Sequence, residues 1–317
     1  MQSHMFKLIQ KRFFTGRSRS TVLAIFALIL VFLGLLVWEL SFNRGRIKIP
    51  EKVLIEDFQR PLDRELVEQL SVLTQTSIAQ LLETNVIKPF WDDITSAQVN
   101  SEGVELRPGQ FKERPDLCRI ADDCARVLGV PKPRVFIVGN SAVISKTINY
   151  SQPIIVLNAR LLKPGVNQTE LRFIIGREMG HVACGHEKWQ MVLHSILKAL
   201  ENAKLVPDSV KLAPFLPFFR WAREAEMSAD NAGLICCQNL PIAEQALLRL
   251  VHGASELDVG KANVDLYLEQ SATLELSTFS DVVIYWRELI RDHSFIPSRI
   301  RQLREYEKTR QFRHLWE

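Results

Sequence analysis

The stretch that decides the fold lies between residues 174 and 186 and reads Ile174-Ile175-Gly176-Arg177-Glu178-Met179-Gly180-His181-Val182-Ala183-Cys184-Gly185-His186. Asn167 can cap a helix that enters this stretch, with Glu170 three residues later as its capping-box partner. Apolar residues then continue to Cys184, and Gly185 is a suitable residue at which to end the helix. The sequence therefore predicts one apolar helix with a few polar side chains set into it.

Three of those polar side chains are arranged for chemistry. Residues four apart share a helix face, so Arg177 and His181 point into the same space with Glu178 beside them. The zinc-peptidase pattern H-E-x-x-H places two histidines at this spacing, and its glutamate activates a metal-bound water. Glu178 and His181 match the pattern, whereas Arg177 stands in place of the first histidine. Because arginine stays protonated in proteins, Arg177 cannot donate a lone pair to zinc.

A second predicted helix carries the other candidate residues. Glu226 and Asp230 are four apart and lie on one face of it. In a working zinc site Glu226 would be a ligand, and Asp230 would accept a hydrogen bond that orients a histidine ligand. His186 lies about 140° around the helix from His181, so capping or packing is favoured over a role as substitute ligand.

Taken together, these motifs resemble the zinc endopeptidase family that contains the type-1 CAAX prenyl protease and the HtpX heat-shock protease. The resemblance covers roughly residues 115–305. It includes the long motif from Leu171 to His186. It also includes the β-run with Asn158-Ala159-Arg160-Leu161-Leu162, which sits where the family has its edge strand. Its remaining positions are Arg223, Glu226, Ala229, Asp230, Gly233, His293, Pro297, Arg299, Ile300 and Leu303.

The resemblance implies a fold and a set of roles. The fold expected is α+β and mostly helical, a zincin-like domain with a small sheet beside the active-site helix. Glu178 would be the general base, and His181 and Glu226 would bind Zn²⁺, with Asp230 behind them. His293 and Arg299 would contact substrate or support the site. A polypeptide is the implied substrate or client.

The amino-terminal region predicts a membrane anchor. Residues 1–19 form a basic tail, and Ser20 to Trp38 carries no charge over a length that can span a bilayer. A retained single-pass anchor at residues 20–40 is favoured over a cleaved signal peptide or a buried core helix. Basic residues flank both ends, so the positive-inside rule only slightly favours a main domain on the extracytoplasmic side.

The rest of the chain predicts how the domain is arranged. Residues 41–110 are interpreted as a juxtamembrane linker and helical region, and residues 111–317 as the metallopeptidase-like domain. Two β-like runs, Arg134–Val138 and Pro153–Leu157, are separated by a polar loop. Helices are predicted from Pro61, after Pro115, at 188–200, around 223–230, at 241–252, 262–274 and 281–291, and from Pro297.

Composition excludes some classes of function. The net charge is only +4 over 317 residues, and the basic excess is concentrated near the amino terminus, so nothing points to nucleic acid. Five cysteines without C-x-x-C spacing indicate neither a disulfide framework nor a cysteine zinc site. The aromatic residues Phe215, Phe218, Phe219 and Trp221 favour core packing over a membrane-dipping or groove-lining patch.

Two functions remain open on the sequence. The favoured one is a catalytically silent relative that keeps a groove for a polypeptide or a membrane partner, because a catalytic zinc normally needs three protein ligands. The alternative is an active zinc endopeptidase that uses His181, Glu226 and a non-standard third ligand, with Glu178 as general base. In the silent protein, Arg177 is predicted to take the metal position and to pair with Glu178 or Glu226.

Overall fold

Helices dominate the part of the chain that the computed structural model describes, which is residues 50, 53–74, 103–107, 117–139, 145–148, 153–162, 166–187, 189–190, 216–252, 264–275 and 296–317. The helices are α1 Ile55–Phe58, α2 Pro61–Thr74, α3 Leu117–Val127, α4 Gln168–Cys184, α5 Leu216–Cys237, α6 Leu240–His252, α7 Val264–Glu275, α8 Ile296–Lys308 and α9 Arg310–Arg313. The strands are β1 Gly103–Glu105, β2 Arg134–Val138, β3 Ser145–Ile148 and β4 Ile154–Asn158.

The ends of α4 are those that the sequence predicts. The side chain of Asn167 accepts a hydrogen bond from the backbone N–H of Glu170 at 2.8 Å. Gly185 ends the helix at a φ of 65°, in the left-handed region that favours glycine. Every residue from Glu170 to His181 is buried, which makes α4 the central element of the domain.

Close contact between α4 and α5 depends on small residues. A Cβ atom added at Gly176 would lie 2.5 Å from the Cβ of Cys236, and one added at Gly180 would lie 2.6 Å from that of Ala232. Neither distance is compatible with a real side chain, so the two helices can approach this closely only because both positions are glycine. This close crossing brings the polar side chains of α4 and α5 together.

A four-stranded sheet lies beside α4, with the strand order β1-β2-β4-β3. The inner strands β2 and β4 are parallel, while β1 and β3 pair antiparallel to them at the two edges. In β4 the pattern of burial leaves both faces covered, as expected of an inner strand. The mostly helical fold with a small sheet beside α4 therefore agrees with the prediction.

The position predicted for the edge strand is wrong. The β-run that leads into residues 158–162 is the inner strand β4, which ends at Asn158, and Ala159–Leu162 is a 3₁₀ helix. The strand at the edge next to α4 is β3, which lies in the segment that the sequence predicted as a polar loop. Its serine and threonine residues misled the prediction, since their hydroxyl groups are bonded to Glu178 instead of facing water.

The aromatic residues of α5 that the structure describes are core residues, as predicted. Phe218, Phe219 and Trp221 are all buried, and Trp221 packs with Leu66 of α2. Several of the sequence predictions lie outside the described residues: Phe215, His194, His293, the helix at 281–291 and the anchor at residues 20–40. Of the helix predicted at 188–200, only residues 189–190 are described. No helix among the described residues has both the length and the apolar character needed to cross a membrane.

Candidate functional site

Six charged or titratable side chains meet where α4, α5 and α8 come together. Each has no more than 7% of its surface exposed. Helix α4 contributes Arg177, Glu178 and His181, α5 contributes Glu226 and Asp230, and α8 contributes Arg299. The structure thus brings together all the candidate site residues that it describes.

The guanidinium of Arg177 lies among three carboxylates. Its Nη1 donates to Glu178 Oε1 at 2.6 Å, and its Nη2 donates to Glu226 Oε2. Its Nε lies 3.4 Å from Asp230 Oδ1. Burial alone would lower the pKa of Arg177, but the charges of Glu226, Glu178 and Asp230 outweigh burial and raise it. We predicted that Arg177 pairs with Glu178 or Glu226, and the structure has both pairs.

A second arginine completes this network of charges. Arg299 donates from Nε and Nη2 to the two oxygens of Asp230 at 2.7 and 2.6 Å, and its Nη1 lies 3.2 Å from Glu226 Oε2. Asp230 therefore faces two guanidinium groups, those of Arg299 and Arg177. Two positive charges and three carboxylates are held together at the crossing of the helices.

Glu178 also has partners on the edge strand β3. The hydroxyl of Ser145 donates to its Oε1 at 2.6 Å, and the hydroxyl of Thr147 donates to its Oε2 at 2.8 Å. Sequence reasoning missed both residues. The available signal was the alternation in Ser145-Lys146-Thr147-Ile148, which suits a strand with one polar face towards a helix.

A chain of polar contacts leads from His181 away from this network. His181 Nδ1 lies 2.9 Å from His186 Nδ1, and His186 Nε2 lies 2.9 Å from Asp63 Oδ2 on α2. His186 directly follows Gly185, the left-handed residue at which α4 ends. The packing role predicted for His186 agrees with its burial, but no signal in the sequence pointed to Asp63.

The protonation of these groups follows from their surroundings. Burial alone would raise the pKa of Asp63, but hydrogen bonds from His186, Ser228 and Gln59 outweigh burial and lower it, so Asp63 is ionised. Burial and the charge of Arg177 lower the pKa of His181 well below its usual range, so His181 is neutral. In the neutral form of His186, Nε2 donates to Asp63 and Nδ1 accepts from His181.

The residues present do not fit a zinc ion at the position of Arg177. Of the residues to which the family resemblance gives the role of metal ligand, only His181 and Glu226 are present there, whereas catalytic zinc normally has three protein ligands. The guanidinium already pairs with Glu226 and with Glu178, and it carries a fixed positive charge. A dication at this place would have to displace the guanidinium from both carboxylates.

Comparison with known proteins supports the relationship that the motifs indicated. The family model of peptidase family M48 matches residues 112–307. Plastoglobule-localized metallopeptidase 48, chloroplastic, of Arabidopsis thaliana is 22% identical over 205 residues, which cover 63% of this chain and 59% of that relative. The chain thus spans less than two thirds of the length of the curated relative it matches, and no solved structure matches it. The match to the family model extends over more than half of the sequence, and the chain belongs to peptidase family M48.

Proposed function

We propose that this protein is a non-hydrolytic member of family M48 in which Arg177 takes the place of the metal, while the edge of the sheet still binds extended polypeptide. Residues 20–40 would anchor it in a lipid bilayer, with the main domain on the extracytoplasmic side. Support for the anchor comes from the uncharged segment Ser20–Trp38 and its basic flanks.

The observation that carries the proposal is the pairing of Arg177 with both Glu178 and Glu226. These are the carboxylates to which the family resemblance gives the roles of general base and metal ligand. Buried charges are stable only when they are paired and hydrogen-bonded, and the guanidinium supplies both kinds of interaction. Arg177 therefore stabilises the buried carboxylates, although it stands in place of a histidine that would bind the metal.

The hydrogen bonds of Glu178 also argue against hydrolysis. A general base must accept a proton from a water within hydrogen-bond reach. Both oxygens of Glu178 already accept hydrogen bonds, from Ser145, Thr147 and Arg177. The residue Glu178 is 2% exposed, which leaves little access for an attacking water.

Polypeptide binding is inferred from the position of β3. This strand pairs on one side with β4 and is the last strand of the sheet among the residues that the structure describes. An edge strand offers backbone N–H and C=O groups to an added strand, and such main-chain pairing binds extended peptides with little dependence on their sequence. The edge runs beside α4, so an added peptide would lie close to the altered site.

The test compares cleavage with binding. Reduced, unfolded casein is incubated with the full-length protein in zinc-containing buffer, and its mass is measured over time. The photoreactive residue benzoylphenylalanine is placed at position 146 in β3, and in a matched control at position 104 in β1, at the opposite edge of the same sheet. We expect casein to remain intact and to crosslink at position 146 but not at position 104.

Other results would contradict one or both parts of the proposal. Casein fragments that vanish with a chelator would show an active endopeptidase with a non-standard ligand set, which is the alternative function. Equal crosslinking at positions 146 and 104, or none at position 146, would exclude β3 as the site of polypeptide binding.

A further inference from the structure

A second group of metal-binding side chains lies at the carboxyl end of α4. Asp63, Cys184 and His186 each offer one donor atom, and these atoms all lie within 4.8 Å of one another. Asp63 belongs to α2, whereas Cys184 ends α4 and His186 follows the turn at Gly185. The group is thus assembled from two segments more than one hundred residues apart, and the side chains of Asp63 and His186 are fully buried.

The donor set suits a particular class of ion. Imidazole nitrogen, thiolate sulfur and carboxylate oxygen are the three kinds of ligand that zinc takes in proteins. Calcium and magnesium are bound through oxygen and would leave the sulfur and the nitrogen unused. In contrast to the position of Arg177, all three side chains can supply an electron pair.

Oxygen atoms without hydrogen-bond partners lie beside the three donor atoms. Oδ2 of Asp63 accepts hydrogen bonds from His186, Ser228 and Gln59, but its Oδ1 is shielded from solvent and has no hydrogen-bond partner among the described residues. Neither oxygen of the neighbouring Glu187 has a hydrogen-bond partner in another described residue, although both are also shielded from solvent. Buried polar atoms are rarely left without partners, so these three oxygens need an explanation.

The carboxylates of Asp63 and Glu187 have few positive partners, which also favours a zinc-class cation at this place. Among the ion pairs of the described residues, Asp63 has only His186 as a partner and Glu187 has none. The purely structural interpretation, a polar network that joins α2 to α4 and α5, explains Oδ2 of Asp63. It leaves Oδ1, the Glu187 carboxylate and the nearby Cys184 thiol unexplained.

We propose that Asp63, Cys184 and His186 bind a zinc-class divalent cation, with Glu187 as an adjacent carboxylate. The ion would bind His186 at Nε2, so the single proton of His186 would move from Nε2 to Nδ1. His181 would then accept that hydrogen bond at Nδ1 and carry its own proton on Nε2, which faces Glu226. The thiol proton of Cys184 would pass to solvent. The site is separate from the Arg177 position, because His181 directs Nδ1 towards His186 and Nε2 towards Glu226.

The experiment uses the full-length protein in detergent, stripped with a chelator, reloaded with Zn²⁺ and freed of excess ion by gel filtration. Elemental analysis should give about one zinc per chain. Cys184→Ser and Asp63→Asn should lose it, while Cys237→Ser, a buried thiol on α5, serves as the matched control. Loading with Co²⁺ should give a thiolate-to-cobalt charge-transfer band in the wild type that Cys184→Ser lacks.

Circular dichroism of each variant shows whether a loss of metal is merely a loss of fold. Because Cys184→Ser replaces one atom, it tests the site even where Asp63→Asn unfolds the protein. No retained metal in the wild type, or equal metal and an equal cobalt spectrum in Cys184→Ser, would overturn the site. Metal that is lost in Glu226→Gln but kept in Cys184→Ser would place the ion at the Arg177 position, which would overturn the proposed function as well.

Discussion

Arg177 and Glu226 lie 49 positions apart in the chain, on two helices that cross, and their side chains pair directly in the interior of the protein. The same guanidinium also pairs with Glu178, its neighbour in sequence. One arginine therefore joins α4 to α5 at the place where the family resemblance expects a metal ion. This relationship makes the substitution at position 177 a structural feature of the domain as well as the loss of a ligand.

Arg177→Ala should destabilise the domain, because it leaves the buried Glu178 and Glu226 with one fewer positive partner. Removing one member of a buried pair typically costs about 3–5 kcal/mol. The matched control is Arg134→Ala, which removes a more exposed pair with Glu105 and should cost only about 0–1 kcal/mol. Urea unfolding measures both free energies. Equal values for the two variants would show that Arg177 does not hold the helices together.

Arg177→His should create a metal site at position 177, separate from the site proposed at Asp63, Cys184 and His186. The variant would place two imidazoles four apart on α4, opposite Glu226. Elemental analysis should show about one zinc per chain more than in the wild type, and Glu226→Gln in the same background should remove that increment. Chelator-sensitive cleavage of casein is expected if the rest of the machinery is intact. If Arg177→His binds no more zinc than the wild type, the site has changed at positions other than 177.

Glu187→Gln should remove a dependence of stability on pH. Burial raises the pKa of Glu187 from 4.5 to about 6, so the folded state binds the proton more tightly than the unfolded state. The resulting stabilisation is complete below pH 4.5 and is lost as the pH rises through 6. Glutamine stays neutral at every pH. The free energy of unfolding of Glu187→Gln, relative to that of the wild type, should therefore be about 2 kcal/mol higher at pH 8 than at pH 4.

That measurement is made in the presence of a chelator, because a bound cation would reverse the effect of the Glu187 charge. Glu305→Gln is the control, since the side chain of Glu305 is 74% exposed and pairs only at the surface with Lys308. If the free energy of unfolding depends on pH in the same way for Glu187→Gln and for the wild type, the pKa of Glu187 is not raised by burial.

Removal of residues 1–40 should release the rest of the chain from membranes. The uncharged segment at residues 20–38 supplies the length and apolar surface that a single span needs. Residues 41–317 should then remain in the supernatant after high-salt and carbonate washes. If they still sediment wholly with membranes, a second membrane contact exists. The burial of Phe218, Phe219 and Trp221 argues against the aromatic run of α5 as that contact.

The sequence by itself determined the parts that depend on local signals. Asn167 and Gly185 define the ends of α4, and the spacing of Arg177, Glu178 and His181 places them together because the period of a helix is fixed. The pairing of Arg177 with the two glutamates could also be predicted, since a buried guanidinium needs carboxylate partners and the motifs supplied them. Only local geometry and the chemistry of charge were required for these steps.

Tertiary structure alone decided which distant residues complete the two sites. Ser145 and Thr147 looked like loop residues, and only the pairing of β3 with β4 turns them towards Glu178. Asp63 lies in a helix that no sequence signal connects with His186, 123 positions away. No local signal encodes such contacts, because they arise when helices and strands pack and buried polar groups must find partners across the core.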